Sequence, residues 1–325
     1  MNPLPIDIIS GFLGSGKTTF IRRLLEGPYK GKGIAVIEND FGEVGIDGKL
    51  LEAAGSRVTE IVSGCICCTL ALDFQQAIET LASDPDIERI VIEPSGVAKL
   101  TDVLRAVARV SPDTVRLGRG ITVVDVNTYR SYSEGFGAFY LDQVMNADVL
   151  LVSKLEAAAG AESADEITRL LQERNPRAEI VAVSWDSDRF ADFLAGFSNG
   201  KPGAGERGVK TPIMQEVSGA ENAFPNAGEF SSAVIAVPPG ISVDRIKRLI
   251  DRLEAENEAN NHMRLARIKG LIETADDGAV KVDWSGGGVS VEPLEKIAPD
   301  NRLVVIGVGL PPQAELKEIL NDLLC

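Results

Sequence analysis

Apolar and polar positions along this chain change period in a regular order. Short runs of strand type recur at residues 6–10, 33–37, 58–62, 90–92, 120–125, 147–153 and 179–184. Between several of them the apolar residues take helical spacing. Phe20, Ile21, Leu24 and Leu25 mark one face, and Leu70, Phe74, Ala77, Ile78 and Leu81 another. A more weakly marked helix runs around 139–145, and a further one over 164–174. Strands alternating with helices predict a parallel sheet with helices on both faces and ligands at the carboxyl ends of the strands.

The pattern then lapses. From about residue 198 to 228 the chain is rich in Gly, Pro, Asn and Ala and reads as a linker. Beyond it, strands are expected at 232–237, 265–272, 279–284 and 303–308. Val243, Ile246, Leu249, Ile250 and Leu253 form a helix face behind a Ser242 cap, and Leu316, Ile319, Leu320 and Leu323 a final one. This segment is expected to be a small α+β domain with helices on one mostly antiparallel sheet. The expected organisation is a first domain over 1–195, a linker over 196–228 and a second domain over 229–325.

The 325 residues suffice for two buried cores. With 33 basic against 48 acidic side chains the net charge is −15, which excludes nucleic acid and anionic membranes as the main partner. No apolar run is long enough to span a bilayer. The start, Met-Asn-Pro-Leu-Pro, lacks the basic region of a signal peptide, so a cytoplasmic location is expected.

Chemistry enters between the first strand and the first helix. Gly11-Phe12-Leu13-Gly14-Ser15-Gly16-Lys17-Thr18 fills G-x-x-x-x-G-K-[ST] at every fixed position, and Thr19 follows. Backbone N–H groups of Gly11, Gly14, Ser15 and Gly16 are suited to phosphate oxygens, with the helix N-terminus behind them. Lys17 is expected to reach the terminal phosphates and stabilise the transferred phosphoryl, and the Thr18 hydroxyl to bind Mg²⁺. A plain glycine-rich turn is the alternative. The fold class is therefore α/β, a P-loop NTPase domain with a mostly parallel sheet and helices on both faces, followed by the smaller α+β domain.

After residue 37 the chain breaks at Glu38 into a loop with carboxylates at 38, 40, 43 and 47, placed where a γ-phosphate and Mg²⁺ would be sensed. A solvated acidic loop is the alternative. Glu93 ends a strand facing the phosphate loop, the position that holds Mg²⁺ through water, and Gly96 can offer its N–H to the γ-phosphate. Cys65, Cys67 and Cys68 lie at a strand-to-helix turn, where the helix dipole favours thiolate. Three thiolates leave one of the usual four positions around Zn²⁺ to a carboxylate, a water or a transfer partner. Small buried apolar residues are the alternative reading of the triplet. The chain has one histidine, His262, so a metal site must rest on thiolates and carboxylates. Finally, Ser153-Lys154-Leu155-Glu156 is a degenerate form of the Asn-Lys-x-Asp that reads guanine in many GTPases. Glu156 would accept the guanine N–H groups and Lys154 would pack on the ring.

With these pieces together, the sequence resembles the CobW-type GTP-binding metallochaperones, relatives of the GTPases that insert nickel into urease and hydrogenase. The matching residues are 11–19, the Asn39 to Asp47 loop, Gly64-Cys65-Ile66-Cys67-Cys68, Glu93-Pro-Ser-Gly96 and Arg267-Ile-Lys-Gly270. The resemblance implies GTP/GDP and Mg²⁺ at the phosphate loop. It also implies Zn²⁺ or Co²⁺ at Cys65, Cys67 and Cys68 with help from Asp40, and delivery to a client metalloprotein or cofactor-biosynthesis protein. A homodimer is the candidate assembly. Three departures stand out: Asp40 where the family has Glu, the Ser-Lys-Leu-Glu tetrapeptide, and no histidine-rich segment. Two other readings compete: an ATPase or kinase on the same fold with structural cysteines, and a non-catalytic metal sensor switched by nucleotide.

Overall fold

The structure, a computed structural model, describes residues 3–38, 57–60, 71–155, 164–198, 230–259, 263–286, 288–294 and 299–324. The chain divides into two compact units, Met1–Phe224 and Pro225–Cys325. Beyond Ser198, the linker expected over 196–228 lies outside the described residues.

In the first unit the order is β1 (Leu4–Gly11), α1 (Lys17–Glu26), β2 (Ile34–Glu38), β3 (Arg57–Glu60), α2 (Ala71–Ala82), β4 (Arg89–Glu93) and α3 (Leu100–Ala108). There follow β5 (Val115–Asp125), α4 (Tyr129–Gly135), α5 (Gly137–Met145), β6 (Val149–Ser153), α6 (Ala164–Arg174), β7 (Glu179–Val181) and α7 (Asp188–Ser198). Among the described residues, seven strands pair in parallel in the order β3-β2-β4-β1-β5-β6-β7. Every strand therefore delivers its following loop to the same edge.

The faces follow from alternation along the strands. Ile9, Val36, Val91, Ile121, Val123 and Leu151 pack against Phe20, Ile21 and Leu24 of α1 and Phe190 and Phe197 of α7. Thr122 points the other way and donates its hydroxyl to the Gln143 carbonyl at 2.7 Å, which places α5 on the opposite face. Helices thus cover both faces.

One polar residue interrupts the apolar run of β1. Asp7 is buried and accepts hydrogen bonds from the Tyr29 hydroxyl at 2.7 Å, the Arg89 guanidinium at 2.7 Å and the Arg119 backbone N–H at 2.9 Å. Burial first, and then the Asp7 carboxylate, raise the Tyr29 phenol far above its ordinary value, so Tyr29 remains a donor. Gly118 makes room for this network, since a Cβ there would collide with the Asp7 carboxylate.

The second unit contains β8 (Phe230–Ala236), α8 (Val243–Ala259), β9 (Arg264–Thr274), β10 (Gly278–Trp284), β11 (Val289–Pro293), β12 (Arg302–Val308), α9 (Gln313–Ile319) and α10 (Asn321–Leu324). Among the described residues, its five strands pair antiparallel in the order β11-β10-β9-β12-β8. Ile246, Leu249, Ile250 and Leu253 of α8 bury against Ile268, Ile272, Val280, Leu303 and Val305. Ser242 caps α8 by accepting the Arg245 N–H at 3.3 Å. Arg267 forms a two-point pair with Asp283, at 3.1 and 2.9 Å, and Lys269 is buried beside it in the same strand. No helix of the described residues is long and apolar enough to cross a membrane.

Several boundaries differ from the pattern. The strand expected over 179–184 stops at Val181, because the chain turns there to bring Trp185 back to the Val152 carbonyl. The final helix breaks at Leu320 into α9 and α10. Glu38 is still paired within β2, buried, rather than opening the loop. Helices α3, α4 and α7 and strand β11 are additional elements. Leu100, Val103, Leu104 and Val107 carry a full helical repeat in α3, all buried.

Gly118→Ala is expected to break the Asp7 network and cost on the order of 3 kcal/mol, from overpacking and a disturbed buried ion pair. Thermal unfolding should show a Tm several degrees lower. An unchanged Tm would mean that the sheet absorbs the extra carbon.

Candidate active site

The turn from β1 into α1 is tight because of its glycines. Gly14 and Gly16 have φ of 71° and 104°, backbone that strains any residue with a Cβ. Gly11 ends β1, and Ser15 donates its N–H back to the Phe12 carbonyl at 3.2 Å. Lys17 opens α1, is 6% exposed, and donates from Nζ to the same carbonyl at 3.2 Å. Its ammonium is thereby folded inside the loop, where the N-terminal dipole of α1 adds positive partial charge. Thr19, next along, is exposed in the first turn.

Thr18 faces β4. Its hydroxyl donates to Glu93, 2.9 Å from Oε1 and 3.2 Å from Oε2. Glu93 is buried at the strand end, on the same face as Val91 and α1. A hydroxyl and a carboxylate are hard oxygen donors, so this pair fits Mg²⁺.

The loop is anchored from behind. Phe12 is buried, with ring centroids 4.7, 4.8 and 5.6 Å from those of Phe136, Tyr132 and Tyr140. These rings come from α4, α5 and the residue between them. From the front, the segment after β4 rests on the loop: a Cβ added at Gly96 would stand 2.5 Å from the Leu13 nitrogen.

On the other flank, Ser153 is buried and its hydroxyl donates to the Ser15 carbonyl at 2.7 Å and the Val124 carbonyl at 3.3 Å. It ties the end of β6 to the phosphate loop. Lys154 adopts φ 60°, at a cost of about 1 kcal/mol, and its Nζ lies 2.7 Å from Asp125 Oδ2 at the end of β5. Asp125 is buried and also accepts the Asn127 N–H at 2.9 Å. Trp185 lies 3.5 Å from where a Gly16 Cβ would be, stacks on Phe190 and donates its indole N–H to Val152 O at 3.0 Å. Arg23 of α1 donates to the Trp185 carbonyl at 2.6 Å.

Sequence reasoning did not single out Phe12, Asp125 or Trp185. An acidic residue ending a strand and a Trp just past another, both on the loop-bearing edge, are the signals that could have found the last two.

Asp40, Cys65, Cys67, Cys68 and Glu156 lie outside the described residues, as does His262. The strands that lead toward the Asp40 loop and the cysteine stretch, β2 and β3, are parallel neighbours. Glu38 ends β2 directly beside Glu93 of β4 and Glu60 of β3. At about 4.8 Å per strand, β3 stands roughly 14 Å from β1. Among the described residues, no three His, Cys, Asp or Glu side chains converge as metal ligands.

The family description "CobW/HypB/UreG, nucleotide-binding domain" matches residues 5–182, and "Cobalamin synthesis protein cobW C-terminal domain" matches residues 230–324. "Zinc chaperone YjiA" from Escherichia coli is 27% identical over 331 residues, covering 96% of each chain. "Zinc-regulated GTPase metalloprotein activator 1" from Dictyostelium discoideum is 30% identical over 216 residues, 55% of this chain and 45% of that one. Among solved structures, the Zn(II)-bound YjiA GTPase from E. coli aligns over 99% of both chains at 21% identity, with a TM-score of 0.45.

Phe12→Ala is expected to cost about 3–5 kcal/mol of stability by emptying the aromatic seat. Nucleotide affinity should fall in the molecules that remain folded, because the loop loses its anchor. Calorimetric titration below the melting transition checks this; full affinity would show that the ring serves the core alone.

Proposed function

The chain belongs to the CobW/HypB/UreG family, and we propose that it is a GTP-hydrolysing metallochaperone with Zn²⁺ or Co²⁺ as its cargo. The observation that carries the hydrolase half is the direct contact of Thr18 with Glu93, on the edge where Lys17 is folded into the loop. The cargo half rests on Gly64-Cys65-Ile66-Cys67-Cys68, which follows β3 in sequence, and on relatives named zinc chaperones. The recipient is a client metalloprotein or cofactor-biosynthesis protein, met in the cytoplasm.

Bound Mg²⁺ would supply charge neutralisation between the β- and γ-phosphates, held by Thr18 and, through water, by Glu93. Lys17 places its ammonium where negative charge spreads over the transferred phosphoryl. The N–H groups of residues 14–17 and the dipole of α1 hold the phosphates in register. Gly96 offers its N–H to the γ-phosphate. On the base side, Glu156 accepts the guanine N–H groups and Lys154 covers the ring, braced by Asp125.

The competing ATPase or kinase reading draws on the degenerate Ser153-Lys154-Leu155-Glu156. Parallel titration with GTP and ATP separates the two. A sensor without catalysis would bind GTP and fail single-turnover hydrolysis with and without Zn²⁺.

Lys17→Ala is expected to abolish hydrolysis and weaken nucleotide binding while leaving metal binding without nucleotide intact. Hydrolysis at the parental rate in that variant would remove the phosphate-loop assignment.

The carboxyl ends of β3, β2, β4 and β1 follow one another along one edge, and the Asp40 and cysteine stretches follow β2 and β3 in sequence, so ordering of the Asp40 stretch by γ-phosphate should alter a metal it holds together with the cysteines. Linkage makes the effect reciprocal and worth about 1–3 kcal/mol. Zn²⁺ affinity is expected to differ several-fold between GDP-loaded protein and protein loaded with a non-hydrolysable GTP analogue. Replacing Cys67 and Cys68 by Ser should erase the difference and spare nucleotide binding. Competition with a chromogenic chelator measures it, and equal affinities in the two states would overturn the chaperone mechanism.

A further inference from the structure

Helix α5 carries two adjacent polar residues that are nearly or wholly buried, Asp142 at 6% and Gln143 at 0% exposure. Buried polar side chains on a core-facing helix need specific partners, and both find them in one short segment. Gln143 donates both hydrogens of its amide nitrogen, to the Gly96 carbonyl at 3.0 Å and the Ala98 carbonyl at 2.7 Å. Asp142 accepts the Thr101 N–H at 3.1 Å and the Thr101 hydroxyl at 2.8 Å, capping the first turn of α3. Burial raises the Asp142 carboxyl, and the two bonds from Thr101 oppose that rise. Together the pair holds the chain from Gly96 to Thr101.

That segment is the one lying on the phosphate loop. Gly96 lies against Leu13 so closely that an added Cβ would stand 2.5 Å from the Leu13 nitrogen, so the segment and the loop share one surface of contact. The hairpin of α4 and α5 that supplies the clamp also supplies the Tyr132 and Tyr140 rings around Phe12. One helical hairpin therefore grips the phosphate loop from behind and the segment in front of it. A further feature sets Gln143 apart from an ordinary core amide. Its carbonyl oxygen is buried and, among the described residues, accepts no hydrogen bond.

We propose that Gln143 is a positioning residue for hydrolysis: its amide sets the Gly96 N–H toward the terminal phosphate and passes movement of the 96–101 segment to α5. The role rests on the reading above that Gly96 faces the γ-phosphate. GDP, which lacks that phosphate, has no use for the clamp; GTP does.

The test compares full-length parental protein with Gln143→Leu and Gln143→Glu. Leu removes both donors at similar volume and leaves two carbonyls without their partner. GDP affinity should hold, while affinity for a non-hydrolysable GTP analogue and kcat should each fall about tenfold or more. Equal losses for GDP and analogue, or no loss for either, would overturn the proposal. The Glu variant adds a readout that general destabilisation does not move. A buried carboxyl is driven toward its protonated form, which can donate one bond. Its kcat relative to parental protein should recover as pH falls from about 8 to about 6; a flat ratio counts against the role.

Hydrogen exchange on the parental protein covers the case in which both variants misfold. Exchanging GDP for the analogue should change protection at residues 96–101 and along α5 together, and change at the first without the second overturns the proposal. Parental protein that neither hydrolyses GTP nor distinguishes analogue from GDP would instead remove the underlying reading.

Discussion

The parallel pairing of β1 with β4 is the constraint on which the catalytic edge depends. It sets Ile6, Asp7 and Ile8 against Ile90, Val91 and Ile92, so that the turn into α1 and the carboxylate of Glu93 arrive at the same height. Thr18 then meets Glu93 without either chain leaving its regular geometry. A slip of one residue in that ladder would send Glu93 to the opposite face, among α3 and α5. The Asp7 network guards against such a slip: its carboxylate is bonded at once to a side chain from β4, a backbone N–H from β5 and the Tyr29 hydroxyl.

The loop edge is held by a mixture of apolar and polar contacts with different tasks. Phe12 and its three aromatic neighbours supply non-directional burial that keeps the phosphate loop seated. Ser153, Asp125 and Gln143 supply directional bonds that fix where backbone groups point. Burying such groups is costly without partners, and here nearly every polar atom of these side chains has one.

Strand order also gives the proposed cargo transfer a physical route. Along one edge stand the carboxyl ends of β3, β2, β4 and β1 in sequence, and Glu60, Glu38 and Glu93 lie abreast at three of them. In that proposal a change at the phosphate loop would pass through neighbouring strand termini to the ends of β2 and β3, from which the Asp40 and cysteine stretches continue in sequence.

The sequence by itself determined the phosphate loop, the alternation of strands and helices, and an antiparallel second domain. Each of these is written in local terms: glycines at positions of left-handed backbone, apolar residues at a fixed period, a cap before a helix. The candidates Lys17, Thr18, Glu93 and Gly96 were proposed from the same kind of signal, since a motif and a strand end are properties of a few consecutive residues. Only the tertiary structure decided that Phe12 sits in a cage of rings from a helical hairpin more than a hundred residues away. The same holds for Ser153 bonding the phosphate loop, Asp125 holding Lys154, and Gln143 reaching back to Gly96 and Ala98. These contacts depend on which strands become neighbours, and strand order is set by the packing of the whole sheet. No window of sequence contains both partners of any of them.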